Sequence, residues 1–308
     1  MARPFRFHLV SSKPMKLSTA SAFVVIALLW GSAWIPYSAA QEQLPRFWIC
    51  ALSSAIAALF ATALASVGFL FDRRHSRPRR SANSAPSLLL GFTAIALPQS
   101  LNLWAVGRVS PGLALLIFAL LPLATLLQSG NEAPGALPKL AIGVGGVAMV
   151  VSGGISTSPG HIAGVILTML GTASSAFSLN YARRNLRDSD LLTSCAIQYG
   201  LAALLLGVLS FATERGQFVH IGWQTVVSLL VLGIAIGGAT RPIYYWLLLE
   251  FEAWRVASIE WIVILVAAVE SAFFLRINPS TPLVVGGVLI VLAVISVFRA
   301  RSNLHGEA

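Results

Sequence analysis

Residues 111–129 have the sequence PGLALLIFALLPLATLLQS and contain no charged side chain. At ~1.5 Å per residue, a helix of this length extends for about 28 Å. That length is close to the ~30 Å thickness of the hydrocarbon core of a bilayer. Short connections with glycine, proline or polar residues bound the segment on both sides. The segment therefore predicts a helix that crosses a membrane.

Comparable apolar segments precede and follow it along most of the chain. The ten predicted spans are 21–40, 47–70, 87–107, 111–129, 138–155, 161–181, 191–212, 223–249, 255–275 and 282–299. The fold class that they predict is an all-α polytopic membrane protein with ten transmembrane helices.

Composition supports a membrane environment and excludes other classes. The chain has 308 residues, of which 56% are hydrophobic and 10% are charged, whereas soluble domains carry about 25% charged residues. The net charge of +10 comes from short basic patches between apolar segments, which argues against nucleic-acid binding. Cys50 and Cys195 lie inside apolar segments, so we expect neither a disulfide nor a metal site.

The basic residues also predict the topology. If the N-terminus lies inside, most of the 21 Lys and Arg residues fall on the inner side, as the positive-inside rule requires. The exceptions are Arg241 within a span and four outer residues, Arg46, Arg108, Arg215 and Arg276. The first span is long enough to be retained rather than cleaved as a signal peptide. We expect a multi-pass protein of the cell inner or plasma membrane with both termini cytoplasmic.

The ten spans divide into two groups of five. An odd number per group gives the halves opposite orientations, so we expect two inverted five-helix repeats, an arrangement common in secondary transporters. The predicted division is a cytoplasmic tail at 1–20, repeats at 21–155 and 161–300, and a cytoplasmic tail at 301–308.

Several short motifs resemble one transporter family. Trp30-Gly31-Ser32 is similar to the opening of EamA-type members of the drug/metabolite transporter superfamily, and Leu101 to Leu127 resembles their third-to-fourth span. Ser258-Ile259-Glu260 and Val284 to Val294 resemble the ninth and tenth spans. The likeness extends from about residue 20 to 299 and implies a substrate cavity between the halves. Trp261 stands where the family has a proline, so we expect the ninth span to be straighter than the fourth.

The predicted function is secondary transport without ATP. The sequence contains no Walker A, HExxH or nucleophile-elbow motif, so we expect no enzyme activity, no cofactor and no metal. The leading interpretation is an exporter of small metabolites, amino acids or amphipathic compounds by alternating access. A small-molecule substrate and the bilayer are the expected partners, nucleic acid is not, and coupling to a proton or ion stays open. The alternatives are a membrane-integral protein that does not transport and a lipid-handling enzyme.

Charged residues within spans are the first candidates for the translocation site, because an unpaired charge at mid-bilayer costs ~3 kcal/mol. These residues are Arg241, Glu260 and Glu270. Arg241 and Glu260 have similar predicted depths, so they form either a structural salt bridge or a charged pair that borders the cavity. Glu270 has no basic partner at its depth and is either a protonatable coupling group or a side chain that extends to the outer interface.

Aromatic and polar side chains are the second group of candidates. Trp30, Trp104, Tyr244 and Trp261 lie on spans that line the cavity in the resembled family. Trp30 and Trp104, predicted to lie deep, are expected either to stack against an apolar or cationic substrate or to be anchors of the kind that tryptophan forms at membrane interfaces. Gln99 and Asn102 share a helix face because they are three residues apart. Both amides are expected either to bond between helices or to contact substrate.

Four prolines within spans are candidate sites of helix bending, because proline removes a backbone donor and clashes with the preceding turn. They are Pro36, Pro98, Pro122 and Pro242.

Overall fold

The computed structural model describes residues 17–72, 84–130, 135–152, 161–217, 221–274, 276 and 280–299. Within these ranges the regular elements are helices. The predicted C-terminal tail, most of the predicted N-terminal tail and the arginines between 73 and 80 lie outside the described residues.

The helices form ten successive spans, which are numbered here in chain order. Spans 1 to 5 are Leu17–Gly31 with Trp34–Gln41; Arg46–Asp72; Ser84–Leu90, Gly91–Ala96 and Leu97–Ala105; Pro111–Phe118 with Leu121–Ser129; and Ala136–Val151. Spans 6 to 10 are His161–Asn185; Leu191–Thr213; Trp223–Leu230, Val231–Ala239 and Thr240–Glu250; Ala253–Ala257 with Ile259–Phe274; and Thr281–Arg299.

Nine of these spans in the described part of the chain are long and apolar enough to cross a membrane. Span 5 is shorter, with 16 residues. Large apolar side chains such as Leu59, Leu204 and Phe273 point away from the bundle with 63–78% of their surface exposed, as expected for contact with lipid. The predicted all-α polytopic fold is confirmed.

The packing of the spans repeats when the two halves are exchanged. Spans 2 and 7, 4 and 9, and 5 and 10 pack as pairs. Span 3 packs on span 6, and its counterpart span 8 packs on span 1. Likewise, span 4 contacts span 6, and its counterpart span 9 contacts span 1. Because each half has five spans and successive spans alternate in direction, the halves are inverted repeats. The end of the bundle that holds residues 17 and 299 is called the termini end, and the other the far end.

Equivalent spans also share their irregularities. Spans 3 and 8 each contain a π-helical segment, Gly91–Ala96 and Val231–Ala239. Pro98 and Pro242 follow these segments by two and three residues. A proline donates no backbone hydrogen bond to the preceding turn, and a π-helical turn accommodates the mismatch. The irregular turns therefore lie where the prolines disturb the helical ladder.

Spans 1, 4 and 9 are interrupted outright. Span 1 breaks at Ser32 and Ala33 before Pro36, and span 4 breaks between Phe118 and Leu121, next to Pro122. Span 9, expected to be straighter because it lacks the proline, is also interrupted, at Ser258. Backbone hydrogen bonds of 3.2 Å from Ser258 to Arg255 and from Trp261 to Ser258 form a tight turn there. A turn of this kind interrupts a helix without proline.

Glycines allow the closest helix contacts. A Cβ at Gly31 would lie 2.6 Å from the Cβ of Val266, so spans 1 and 9 touch at this point. Gly146 and Gly286 face each other across spans 5 and 10, where a Cβ on either would lie within 3.0 Å of the other's carbonyl oxygen. Small residues of this kind let transmembrane helices approach closely.

The glycines of span 5 provide a matched stability test. A Cβ at Gly143 would lie 2.3–2.5 Å from the indole of Trp261, whereas a Cβ at Gly145 would meet nothing within 4 Å. We expect Gly143→Ala to destabilise the protein by about 1–3 kcal/mol through overpacking. Gly145→Ala should be neutral or slightly stabilising, because alanine favours the helix. Thermal unfolding of the two variants in detergent measures the difference, and equal midpoints would contradict the packing.

Candidate functional site

A cavity of about 120 Å³ lies between the two halves. Spans 1, 3, 4, 6, 8 and 9 contribute to its wall. The wall includes Trp30, Ala94, Phe118, Arg241, Tyr244 and Glu260. Three of the wall-forming segments are the π-helical turn of span 3 and the interruptions of spans 4 and 9. Irregular backbone at membrane depth is tolerated where it lines such a cavity.

Arg241 is held by the irregular turn of span 3. Its Nη2 donates to the carbonyl oxygen of Ala94 at 3.1 Å. The guanidinium carbon also lies 5.3 Å from the centroid of the Tyr245 ring. Pro98 cannot donate to the carbonyls of that turn, so Arg241 supplies a missing donor. The Nε of Arg241 is buried and has no hydrogen-bond partner.

Glu260 lies on span 9, two residues after the interruption. In the ranges that the structure describes, Glu260 forms neither a hydrogen bond nor an ion pair, and the ion pair found there joins Arg255 to Glu252 at 2.8 Å. The interpretation of Arg241 and Glu260 as a direct salt bridge is therefore not supported. Both residues line the central cavity. The cavity presents a cationic and an anionic group that are not bonded to each other.

Aromatic side chains form a fixed wall beside these charges. The indole Nε1 of Trp30 donates to Thr240 Oγ1 at 2.8 Å, and its ring centroid lies 4.9 Å from that of Tyr244. The hydroxyl of Tyr245 donates to Gln198 Oε1 at 2.5 Å. The two hydrogen bonds thus fix the ring of Trp30 against span 8 and the ring of Tyr245 against span 7.

Glu270 lies outside the lining of this cavity, near the far end. Its carboxylate accepts hydrogen bonds from Ser32 Oγ at 2.6 Å and from Trp34 Nε1 at 3.2 Å. Span 1 therefore provides partners that depth alone did not predict. The Trp30-Gly31-Ser32 motif consequently binds span 8 through its first residue and span 9 through the other two.

Trp261 is a packing residue rather than part of the cavity wall. Its side chain is fully buried, and its Nε1 donates to the carbonyl oxygen of Ala119 at 2.9 Å. That carbonyl lies in the interruption of span 4. The ring fits against Gly143 of span 5. Trp261 thus supplies a hydrogen-bond donor to the interrupted helix that faces it.

Trp104, Gln99 and Asn102 lie away from the lining of the central cavity. Trp104, expected to lie deep, is one residue from the end of span 3 and 38% exposed. It lines a cavity of about 410 Å³ at the far end, where its ring centroid lies 6.0 Å from that of Phe47. Gln99 and Asn102 each have a buried side-chain oxygen without a hydrogen-bond partner, and Asn102 faces Gly171 of span 6.

Span 6 carries polar residues that the sequence analysis did not select. Ser175 and Ser178 line the central cavity. Ser178 Oγ also donates to Thr93 Oγ1 at 2.9 Å, and Ser174 Oγ donates to the carbonyl oxygen of Thr93 at 2.7 Å. Serines spaced by three and four residues on one helix face were the available signal.

The sequence model of the EamA-like transporter family matches this chain twice, at residues 17–130 and 162–299. The chain belongs to the EamA-like transporter family. The first match covers spans 1 to 4 and the second covers spans 6 to 10. The chain is therefore a multi-pass member of a family of membrane transporters, which is not a family of enzymes.

Curated relatives and one solved structure agree with this assignment. The uncharacterized transporter YvbV of Bacillus subtilis is 27% identical over 173 residues, which cover 55% of each chain, so the match spans about half of that relative. Protein PagO of Salmonella typhimurium is 22% identical over 228 residues, covering 72% of this chain and 73% of PagO. A crystal structure aligns with a TM-score of 0.75 and 17% identity over 91% of this chain and 97% of its own, which shows the fold.

The bond between Ser32 and Glu270 generates a stability prediction. Ser32→Ala removes a donor to a partly buried carboxylate and should lower the free energy of unfolding by about 1 kcal/mol. Ser38→Ala is the matched control, because Ser38 is exposed on the same span. Thermal unfolding in detergent should show a lower midpoint for Ser32→Ala alone. Equal midpoints would mean that the bond does not stabilise the contact between spans 1 and 9.

Proposed function

We propose that this protein is a secondary exporter of small zwitterionic metabolites such as amino acids, which it moves by alternating access. The observation that carries the proposal is the pair of opposite charges, Arg241 and Glu260, which line one cavity without bonding to each other.

Burial of such charges is costly unless each finds a partner. Arg241 has the Ala94 carbonyl and the Tyr245 ring, but its Nε is unpartnered. Glu260 has no bonded partner among the described residues. A zwitterion supplies a carboxylate for the guanidinium and an ammonium group for the carboxylate. One ligand would thus satisfy both charges.

The size and wall of the cavity restrict the substrate further. A volume of about 120 Å³ corresponds to roughly four water molecules at ~30 Å³ each, which suits a small solute. The rings of Trp30 and Tyr244 suit an apolar group or the face of a cation. Ser175 and Ser178 add hydroxyl groups for hydrogen bonds. A small neutral amino acid combines all of these features.

The irregular helices support the proposed mechanism. The irregular turn of span 3 and residues next to the interruptions of spans 4 and 9 line the cavity, and such positions absorb backbone rotation during opening and closure. Sites between inverted repeats are exposed alternately to the two faces when one repeat rocks against the other. Glu260 is also the candidate residue for coupling transport to protons, because a carboxylate without a bonded partner can take up a proton from the cavity and release it again.

Transport in proteoliposomes tests the charged pair. We expect Glu260→Gln and Arg241→Gln each to reduce the uptake of labelled L-alanine at least about tenfold, because each leaves one substrate charge unpaired. Glu250→Gln is the matched control, since Glu250 is exposed at the end of span 8. Wild-type rates in both cavity variants would make the pair structural and overturn the proposal.

Single-charge analogues test the zwitterion directly. Propionate lacks the ammonium group of alanine and ethylamine lacks its carboxylate, so each should compete with alanine much more weakly than serine or glycine does. Equal competition by either analogue would show that one of the two charges is not recognised. If no amino acid is transported or raises the unfolding midpoint of the protein, the non-transporting alternatives take precedence.

The proposed orientation places both termini in the cytoplasm, which follows from the bias of basic residues toward that side. A green fluorescent protein fused after Ala308 should fluoresce, whereas alkaline phosphatase fused there should be inactive. Alkaline phosphatase inserted after Gly216, in the connection between spans 7 and 8, should be active. The opposite pattern would reverse the direction assigned to transport.

A further inference from the structure

A second cavity, of about 340 Å³, opens at the termini end of the bundle. Its wall combines the end of span 6 with the end of span 4 and the start of span 9. We call it the arginine vestibule and define it by Asn180, Arg183, Arg184, Arg187 and Glu252. The proposed function makes no use of this cavity.

Positive charge exceeds negative charge in the arginine vestibule. Three guanidinium groups share the wall with one carboxylate, that of Glu252. Glu252 is already engaged, because it lies 2.8 Å from the Nε of Arg255 and accepts from the Nε1 of Trp254 at 3.0 Å. Glu252 also interacts favourably with Arg183, but one carboxylate that already pairs with Arg255 cannot balance three arginines of span 6.

Arg183 is the residue that distinguishes this site from an ordinary basic patch. Its Nε is buried and has no hydrogen-bond partner. Its neighbour Arg184 is exposed and donates from Nη2 to the carbonyl oxygen of Ser129 at 3.3 Å. A buried donor without an acceptor is costly. An acceptor brought into the vestibule would remove that cost.

Two general effects favour basic residues at this position. Arg183 and Arg184 lie in the last turn of span 6, where the helix dipole favours cations, and cytoplasmic loops attract Lys and Arg. Both effects act equally on fully exposed side chains. Neither accounts for a cavity whose wall carries three arginines, one of them with a buried and unsatisfied donor.

Consecutive residues of span 6 line the two cavities. Leu179 lines the central cavity and the next residue, Asn180, lines the vestibule. Asn180 Nδ2 donates to the carbonyl oxygen of Thr125 at 2.9 Å, which ties span 6 to span 4 at this level. Span 6 therefore contributes to the wall of both cavities.

We propose that the arginine vestibule is an oxyanion-binding site that takes a carboxylate or phosphate group from the termini side. The planar guanidinium forms paired hydrogen bonds to two oxygens of such a group. Arg183 provides the buried donor, and Arg184 and Arg187 provide the surrounding charge. The oxyanion comes either from a soluble solute or from the headgroup of an anionic lipid.

Calorimetric titration of the full-length, delipidated protein in neutral detergent tests the site with inorganic phosphate and acetate as probes. We expect saturable binding by the wild type and at least tenfold weaker binding by Arg183→Gln. Arg184→Gln changes an exposed side chain and should therefore leave the fold intact. It should weaken binding severalfold, so the test does not depend on the folding of Arg183→Gln. Arg215→Gln is the matched control, because Arg215 lies at the far end and packs on Phe211.

Nanodiscs of phosphatidylcholine with and without phosphatidylglycerol distinguish the two sources. A soluble oxyanion is the ligand if phosphate or acetate binds in detergent with the expected dependence on Arg183. A lipid headgroup is the ligand if only phosphatidylglycerol raises the unfolding midpoint, and does so less in Arg183→Gln and Arg184→Gln. The proposal is overturned if neither probe nor lipid acts, or if Arg215→Gln reduces binding as much as Arg183→Gln. These measurements use no alanine transport, so they succeed or fail independently of the proposed function.

Discussion

Every backbone carbonyl in a bilayer needs a donor from within the protein, because lipid provides none. This chain places prolines in its spans and so removes donors at the positions where the two halves meet. Side chains from other spans donate to the carbonyls of the irregular segments: Ser174 bonds to Thr93, Arg241 to Ala94 and Trp261 to Ala119. These bonds hold the irregular turns around the central cavity in place. The position of the charged residue in the proposed substrate site thus follows from a backbone requirement.

Much of the fold could be predicted from the sequence, since uninterrupted apolar length is a strong and local signal. The prolines also indicated where helices are irregular, and the Trp30-Gly31-Ser32 motif indicated the family. The partners of the charged residues could not be predicted in this way. The depth estimated from the sequence places Arg241 and Glu260 at the same level in the membrane. It does not show how each helix is rotated about its own axis, and so it does not show which way each side chain points. That rotation directs Arg241 to Ala94 and brings Glu270 to Ser32.

The two halves share backbone irregularities more closely than they share side chains. Spans 3 and 8 both carry a π-helical segment, and spans 4 and 9 are both interrupted. Pro122 stands beside one interruption, whereas a tryptophan stands after the other. Trp261 bonds to the carbonyl that lies next to the proline-containing segment. The two halves therefore complement each other at this point, because a side chain of the second half donates a hydrogen bond to a backbone carbonyl in the interrupted helix of the first half. The difference between the halves also leaves Glu260 as a charge that the first half does not match.

The facing glycines of spans 5 and 10 have a mechanical consequence. At Gly146 and Gly286 the two backbones are so close that a Cβ on either residue would lie within 3.0 Å of the other's carbonyl oxygen. One helix belongs to each half, so under the proposed alternating access this contact would act as a fulcrum between them. Relative movement of the halves would then be a tilt about this point, with the largest displacements at the two ends of the bundle. The mouths would open and close while the helices that form the fulcrum keep their register.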